Sequence, residues 1–364
     1  MIAVSVFSQN KKTITLNLAK AITQNPKTVM LSDIASDIKY IPLETKDNCL
    51  IGGELSIGIS GTAIIAADHQ TRSFYRFDTS GKFTNQIGRQ GQGPGEYSVG
   101  LFYMTDPVEK HIYIQDFGNL FCYDFNGKFI KRIDTPSLNM GVSEMLNRDY
   151  IVYSNNLYFE NKKNPHQLYV IDKNGKEINK WKGFIEQGKR YGIILSSRDY
   201  MYTFNGATFF KPALEDVVYH VQSPKKKEIV WKFETSDKKT DVSANETDAK
   251  NRGKSISIRQ VKETPKYLFV LYGLGQDVYF GMYNKLNDSF SNVTIKDDLA
   301  GGADFVPAGK CNDNQLMGVW LAHHIKTAKR HGKASLVNRK KELDALITKL
   351  SEDDNPVIVM VTLK

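Results

Sequence analysis

The sequence predicts an all-β protein folded as a six-bladed β-propeller, and the main observation behind this is a repeated phrase. An aromatic strand, an Asp, a turn ending in Gly, and then Lys with further apolar residues recur at 73–88, 120–134 and 168–183. The turn glycines are evenly spaced along the chain: Gly81, Gly127 and Gly175. Self-similarity at a period of roughly 40–50 residues, built from β-hairpins, is typical of propeller blades.

Length and composition agree with this fold class. The chain has 364 residues, with 18 Tyr and 19 Phe, and aromatic residues are well suited to strands. Closed repeat architectures of this length commonly form a single unit. We therefore expect a lead-in segment over 1–37, followed by one propeller over 38–364.

The first three blades are the most distinct in the sequence. The first is predicted at about 54–88, the second at about 99–134 and the third at about 142–183. Each contains three or four short runs of apolar and aromatic residues bounded by turn residues, which is the pattern of hairpin-connected strands.

Beyond the third blade the repeated motif becomes less regular. A fourth blade is predicted over 199–234, where Ser223 and Pro224 replace the glycine turn, and a fifth over 255–295. The segment between them, 235–255, is almost devoid of apolar residues and predicts a long exposed loop.

The sixth blade is interrupted by a helical insertion at about 321–352. Strands are predicted at 304–309, 315–322 and 357–364, and the missing outer strand is best supplied by 38–45. Pairing the two ends of the chain in this way would close the ring and remove exposed sheet edges. Five apolar residues of the insertion share one helical face: Leu336, Leu343, Leu346, Ile347 and Leu350.

The start of the chain resembles part of a secretory signal. Residues 1–9 look like the tail of a signal peptide whose charged beginning is missing. We predict an exported protein on this basis, and a cytoplasmic protein with an apolar start is the alternative. No run of 18 apolar residues occurs, so no transmembrane segment is predicted.

The net charge of +9 is concentrated in one segment. Between His323 and Lys341 the chain carries no acidic residue and seven basic ones: Lys326, Lys329, Arg330, Lys333, Arg339, Lys340 and Lys341. A solvated helix face is the favoured interpretation, and a binding site for a polyanion is the alternative. The segment has no aromatic residue on which a base could stack, so nucleic-acid binding is the third and least favoured function.

Cysteine and histidine spacing indicates no metal site. The three cysteines, Cys49, Cys122 and Cys311, are an odd number and lie far apart, which disfavours a disulfide framework and a cysteine-based zinc site. None of the seven histidines forms an H-x-x-x-H or H-E-x-x-H pattern. No cofactor is predicted, and no catalytic residue is assigned.

The segment from 62 to 97 resembles the NHL-type repeat. That family joins a strand ending in Asp, an exposed loop, an aromatic strand, a Gly turn and a glycine-rich linker. The linker residues here are Gly88, Gly91, Gly93, Pro94, Gly95, Glu96 and Tyr97. The clear motif covers about 64–134, and the remainder matches by layout. The whole chain resembles NHL-like and TolB-like six-bladed propellers of bacterial envelopes, most of which have no assigned function.

Two strands of the repeat end in an aspartate that opens a short loop, Asp68 and Asp116. Capping of their own turns is the favoured role, and binding of a ligand or metal is the alternative. Loops of this kind are predicted to share one rim of the ring. The candidate ligand-binding residues on them are His69, Arg72, Arg89, Gln90, Phe117 and Asn119.

We predict a non-catalytic binding module or scaffold that recognises a protein, peptide or saccharide on this rim. One aromatic ring among several planar polar groups suits both sugars and peptides. The resemblance also implies an alternative, a metal-dependent lyase or hydrolase with its site in the central channel. That function requires several His, Asp or Glu side chains converging on the axis.

Overall fold

The computed structural model describes residues 13–135, 141–155, 166–183, 199–213, 215–238, 255–309 and 311–364. Over these residues the chain forms six small sheets in a ring, so the predicted six-bladed β-propeller is confirmed. The signal-peptide resemblance at 1–9 and most of the loop predicted over 235–255 lie outside the described residues.

The chain begins with short elements that lead to one long strand. They are β1 (Ile14–Asn17), α1 (Leu18–Ala21), β2 (Lys27–Met30), α2 (Leu31–Ile34) and β3 (Ala35–Pro42). The strand predicted at 38–45 therefore starts and ends earlier than expected. Pro42 is its last residue, since a proline cannot donate a ladder hydrogen bond.

Blades 1 to 3 each contain four strands that pair in chain order. Blade 1 consists of β4 (Leu55–Ser60), β5 (Ala63–Asp68), β6 (Ser73–Asp78) and β7 (Phe83–Gln86). Blade 2 consists of β8 (Phe102–Asp106), β9 (His111–Asp116), β10 (Asn119–Asp124) and β11 (Phe129–Asp134). Blade 3 consists of β12 (Ser143–Leu146), β13 (Tyr150–Ser154), β14 (His166–Asp172) and β15 (Glu177–Lys182).

Blades 4 and 5 each gain a fifth strand from the start of the chain. Blade 4 contains β16 (Tyr200–Phe204), β17 (Ala207–Lys211), β18 (Val217–Ser223) and β19 (Lys226–Glu234), followed by a 3₁₀ turn over Ser236–Lys238. Blade 5 contains β20 (Ile256–Glu263), β21 (Tyr267–Leu274), β22 (Asp277–Asn284) and β23 (Ser289–Lys296). β1 pairs in parallel with β19, and β2 pairs in parallel with β23, so both outer edges are covered.

Blade 6 is closed by the N-terminal side of the chain, as predicted. It contains β24 (Gln315–Trp320) and β25 (Val357–Leu363), with the helices α3 (Ala322–Thr327) and α4 (Val337–Lys349) between them. The strand order is β24-β25-β3, with β3 antiparallel to β25.

The strand predicted at 304–309 is not formed as a regular strand. Phe305 makes one isolated bridge to Ile295, and the Ala308 amide donates to the Met317 carbonyl at 2.5 Å. Pro307 has no N–H to continue a ladder, and Gly309 adopts a φ of +84°. The segment therefore lies beside β24 without joining the sheet.

Apolar side chains fill the interfaces between neighbouring blades. Among the described residues they form six hydrophobic clusters, one for each interface of the ring. Between blades 1 and 2, for example, Ile65 and Phe74 pack with Ile112 and Tyr123. The cluster between blades 5 and 6 includes Leu343, so α4 is docked on the ring by its apolar face.

The repeated turn glycines lie where each blade contacts the blade before it. Gly81 has a φ of +87°, and a Cβ there would lie 2.1 Å from the Pro42 carbonyl oxygen of β3. Gly127 has a φ of +85°, and its Cβ would lie 2.6 Å from the Gln86 carbonyl oxygen of β7. Gly175 repeats the arrangement against β11. Glycine is required at these turns both by the backbone conformation and by the close approach of the neighbouring blade.

Antiparallel pairing gives the ring two distinct faces. Within a blade, the connection between the second and third strands lies at the same end as the link from the fourth strand to the next blade. We call this end the rim face. The turns between the first and second strands, and between the third and fourth, lie on the opposite face. The first strands of neighbouring blades contact one another, β8 with β12 and β16 with β20, which places them around the axis.

Candidate functional site

All six predicted ligand-binding residues lie on the rim face of blades 1 and 2. Five of them lie in three connections, β5 to β6, β7 to β8, and β9 to β10, and Asn119 is the first residue of β10. In chain order they are His69, Arg72, Arg89, Gln90, Phe117 and Asn119. None of them is buried.

The connection from β5 to β6 is shaped by Asp68. This buried carboxylate accepts the amides of Gln70 (2.9 Å) and Thr71 (3.1 Å) through Oδ1, and the amide of Gly52 (2.9 Å) through Oδ2. The geometry is that of a side chain capping its own turn. The loop then presents Arg72, which is exposed and has a φ of +56°.

The link from β7 to β8 folds around Glu96. Its carboxylate accepts the Gly93 amide at 2.9 Å and Arg89 Nε at 2.6 Å. Together these two hydrogen bonds, the first contributing most, hold the pKa of Glu96 below its usual value. A Cβ on Gly91 would lie 2.0 Å from Glu96 Oε2, so the linker glycine makes room for this side chain. Arg89 itself remains 78% exposed.

Asp116 joins this link to the connection between β9 and β10 by hydrogen bonds. The buried carboxylate accepts the Ser98 amide at 2.5 Å, the Ser98 hydroxyl at 2.8 Å and the Phe117 amide at 2.9 Å. On the other side, the Tyr97 hydroxyl donates to the Arg72 carbonyl at 2.9 Å. The three connections are therefore joined by hydrogen bonds, and charged acceptors make the strongest of these.

We call the result the rim surface, formed by the exposed parts of Arg72, Arg89, Gln90, Phe117 and Asn119. Gln90 Nε2 donates to the Ser98 carbonyl at 2.8 Å, and Asn119 Nδ2 donates to the Phe117 carbonyl at 2.9 Å. Phe117 is 50% exposed at the tip of its turn. The rim surface thus combines an aromatic ring with planar polar groups on a backbone held by internal hydrogen bonds.

His69 occupies a different part of the rim face. Its Nε2 lies 3.1 Å from the hydroxyl of Ser56 on the inner strand β4. Its ring centre is 6.2 Å from that of Phe102 on the inner strand β8. The half-buried imidazole is therefore at the mouth of the central channel, on the axial side of the rim surface.

Sequence reasoning missed the residues that join the rim loops. Tyr97 belongs to the linker motif, which is a usable signal, but Ser98 follows the motif and carries none. It also missed the inner-wall tyrosines Tyr103 and Tyr200, whose pKa values are raised by burial. Tyr103 donates its hydroxyl to the Ile65 carbonyl at 3.0 Å.

Metal-binding side chains do not gather in the part of the chain that the structure describes. Over those ranges, no group of three or more His, Cys, Asp or Glu side chains is placed to hold a metal ion.

The basic segment is largely engaged with its own surroundings. Arg339 makes a two-pronged pair with Asp37 of β3, both distances being 2.8 Å. Arg330 and Lys340 both contact Asp344, and Lys326 donates to the carbonyl that follows α4. Of the seven predicted patch residues, four are exposed: Lys326, Lys329, Lys333 and Lys341. The cationic surface is thus smaller than the sequence indicates.

Across the described ranges, no helix is both long enough and apolar enough to cross a membrane. No curated protein matches the sequence.

Two solved structures with the same fold come from species of Bacteroides. A candidate exported protein of Bacteroides fragilis is 19% identical and superimposes with a TM-score of 0.74, over 97% of this chain and 100% of that one. A member of the DUF4221 family from Bacteroides vulgatus is 11% identical, with a TM-score of 0.52, over 91% of this chain and 97% of that one. At these identities the likeness establishes the fold.

The sequence itself matches one family over nearly its whole length. Residues 13–362 match the family described as a domain of unknown function, DUF4934, and no NHL family is named by the match. The chain therefore belongs to the DUF4934 family.

Proposed function

We propose that this protein is a non-catalytic binding propeller that recognises a protein, peptide or saccharide through the rim surface. The observation that carries the proposal is the way the rim surface is built. Buried carboxylates hold three loops from two blades in one arrangement, and the side chains left exposed include Arg72 and half of the Phe117 ring. Preorganised loops lose little conformational entropy on binding, so such a surface suits recognition.

We also propose that the protein acts outside the cytoplasm of a bacterium. Two observations support this: the resemblance of residues 1–9 to the tail of a signal peptide, and the name of the Bacteroides fragilis relative, a candidate exported protein. The NHL-like character of the repeat remains a resemblance and adds no ligand to the proposal.

Site-specific photo-crosslinking tests the binding face while the ligand is still unidentified. A photoreactive phenylalanine analogue replaces Phe117 in one variant and Leu286 in another. Leu286 is 76% exposed in the β22–β23 turn of the opposite face, so it is a matched control. Both proteins are irradiated with a bacterial envelope fraction, and adducts are identified by mass spectrometry.

The expected result is a discrete adduct from position 117 and none from position 286. Equal adducts from both positions would indicate non-specific contact. Adducts from position 286 alone would place binding on the opposite face, and either result would contradict the proposal.

A further inference from the structure

The rim surface has an unequal distribution of charge. Its carboxylates are committed to the fold, because Asp68 and Asp116 are buried and accept several backbone amides each. Glu96 accepts Gly93 N–H and Arg89. The guanidinium groups of Arg72 and Arg89 remain exposed, and Arg89 is paired with Glu96. Two exposed carboxylates lie beside the rim surface: Glu54 before β4, and Asp134 opposite Asn119, which is paired with Arg132 at 3.0 Å.

Guanidinium groups recognise a particular kind of ligand. The planar fork of N–H donors matches a carboxylate or sulfate, and hydrogen bonds between ions are about twice as strong as those between neutral groups. The nearby Gln90 and Asn119 each use one amide hydrogen internally and keep further polar capacity for a ligand.

Phe117 adds the second element of recognition. A half-exposed ring flanked by amides offers a flat apolar face on which the C–H face of a sugar ring can lie. Arg72 and Phe117 are linked indirectly. The Tyr97 hydroxyl donates to the Arg72 carbonyl, and the next residue, Ser98, donates its amide to Asp116, which also accepts the Phe117 amide. The two side chains belong to loops of neighbouring blades, so a ligand that contacts both must span two blades, as an oligosaccharide can.

We propose that the ligand of the rim surface is an acidic oligosaccharide, a chain of sugar rings carrying carboxylate or sulfate groups. The acidic groups pair with Arg72 and Arg89, and one ring lies on Phe117. This inference rests on the proposed function and names its ligand class. A peptide is less well matched, because peptide sites use apolar anchor pockets. The large exposed apolar side chains among the described rim loops of blades 1 and 2 are two single residues, Phe117 and Leu50, the second in the link before β4.

Isothermal titration calorimetry on the full chain tests the inference with defined probes. The acidic probes are oligogalacturonate, hyaluronan fragments and heparin fragments. Size-matched malto-oligosaccharides are the neutral probe, and oligoglutamate is the acidic peptide probe. The test variants are Arg72→Gly, which removes the side chain at a positive φ without adding strain, and Phe117→Ala.

Two control variants lie on the opposite face. Arg148→Gly matches Arg72→Gly, since Arg148 is also exposed and has a φ of +64°, and Leu286→Ala matches Phe117→Ala. We expect at least one acidic oligosaccharide to bind. Arg72→Gly should weaken it by about tenfold or more, as expected for a hydrogen bond to a charged group. Phe117→Ala should weaken it several-fold, and both controls should leave it unchanged.

Other outcomes separate this inference from the proposed function. In one outcome no acidic oligosaccharide binds, but the neutral probe or oligoglutamate does, and Phe117→Ala weakens that binding. This result would overturn the inference and leave the rim surface as the binding face. Acidic oligosaccharide binding that both rim variants leave unchanged would overturn both. Absence of binding to all acidic sugars would overturn the inference alone, because crosslinking from position 117 tests the binding face independently.

Discussion

At the residue scale, the repeated phrase can be explained atom by atom. In the first blade, Asp78 Oδ1 accepts the amides of Ser80 (2.8 Å) and Lys82 (3.1 Å). Asp124 and Asp172 make the same pair of contacts in the next two blades. The Asp therefore caps the turn, and the Gly that follows allows the turn to contact the preceding blade.

Replacing Gly81 with alanine should destabilise the fold strongly. The new Cβ would lie 2.1 Å from a backbone carbonyl oxygen and would also force a residue with a side chain into a φ of +87°. We expect Gly81→Ala to lower the free energy of unfolding by about 3 kcal/mol, from backbone strain and overpacking together. Chemical denaturation measures this change in the free energy of unfolding.

Gly206→Ala is the matched control. Gly206 also has a positive φ, +72°, but a Cβ there would meet nothing within 4 Å. We expect Gly206→Ala to lower the free energy of unfolding by about 1 kcal/mol, from backbone strain alone. Equal losses in the two variants would show that the contact with the preceding blade contributes nothing.

Asp199 gives the fold a pH dependence that can be tested. It is 8% exposed just before β16 and accepts the Ala213 amide at 2.8 Å. Burial raises its pKa from 3.8 to about 6. Between these values the folded state holds a proton that the unfolded state has lost, so stability falls as pH rises from about 4 to 6. A shift of this size corresponds to about 3 kcal/mol.

We expect Asp199→Asn to remove that decline. Urea unfolding at a series of pH values measures it as the difference between the wild type and the variant. Asp149→Asn, at an exposed turn on the opposite face, should leave the pH profile unchanged. A wild-type profile that rises from pH 4 to 6 in step with Asp199→Asn would contradict this assignment.

At the element scale, the segment before the first blade is part of the folded ring. β1 and β2 extend blades 4 and 5, and Leu18 of α1 is fully buried in the cluster between these blades. Asn17 caps α1 by accepting the Lys20 amide at 2.7 Å. At the other end of the chain, Arg339 ties α4 to β3. The first described segment and α4 therefore both pack against outer strands of the ring.

Leu18→Ala tests the contribution of this first segment. Because the side chain is 0% exposed, we expect a loss of about 2–4 kcal/mol in the free energy of unfolding. Leu286→Ala, which removes a similar side chain at 76% exposure, should change it by less than about 0.5 kcal/mol. A Leu18→Ala variant as stable as Leu286→Ala would show that the first segment is not packed on the ring.

At the scale of the whole molecule, the sequence predicts the elements that repeat and misses those that depend on distant partners. The hairpins of blades 1 to 3 follow from local patterns, and closure by β3 follows from one missing strand. The pairing of β1 and β2 leaves no periodic signal, because each adds to an edge more than two hundred residues away in the chain. The prediction of a strand at 304–309 was wrong. The apolar residues there favour a strand, but Pro307 lacks an N–H for the ladder and Gly309 has a positive φ.

The same distinction applies to the candidate site. Strand ends and turn residues place the six loop residues on one rim, since loop position follows from strand order. The bonds that join the loops, Tyr97 to Arg72 and Ser98 to Asp116, depend on the packing of two blades and could not be read from spacing. Local pattern thus predicts the position of the rim surface, and tertiary structure determines its shape.

The most direct test of the rim surface compares two double variants in equilibrium binding to an isolated bacterial envelope fraction. One carries Arg72→Gly and Phe117→Ala on the rim surface, and the other carries Arg148→Gly and Leu286→Ala on the opposite face. Circular dichroism confirms that both are folded before binding is measured.

We expect the rim variant to bind at least about tenfold more weakly than the wild type, as loss of a charged hydrogen bond and an aromatic contact requires. The opposite-face variant should bind like the wild type. Equal binding by both variants, or a loss confined to the opposite-face variant, would contradict the assignment of the rim surface as the binding face.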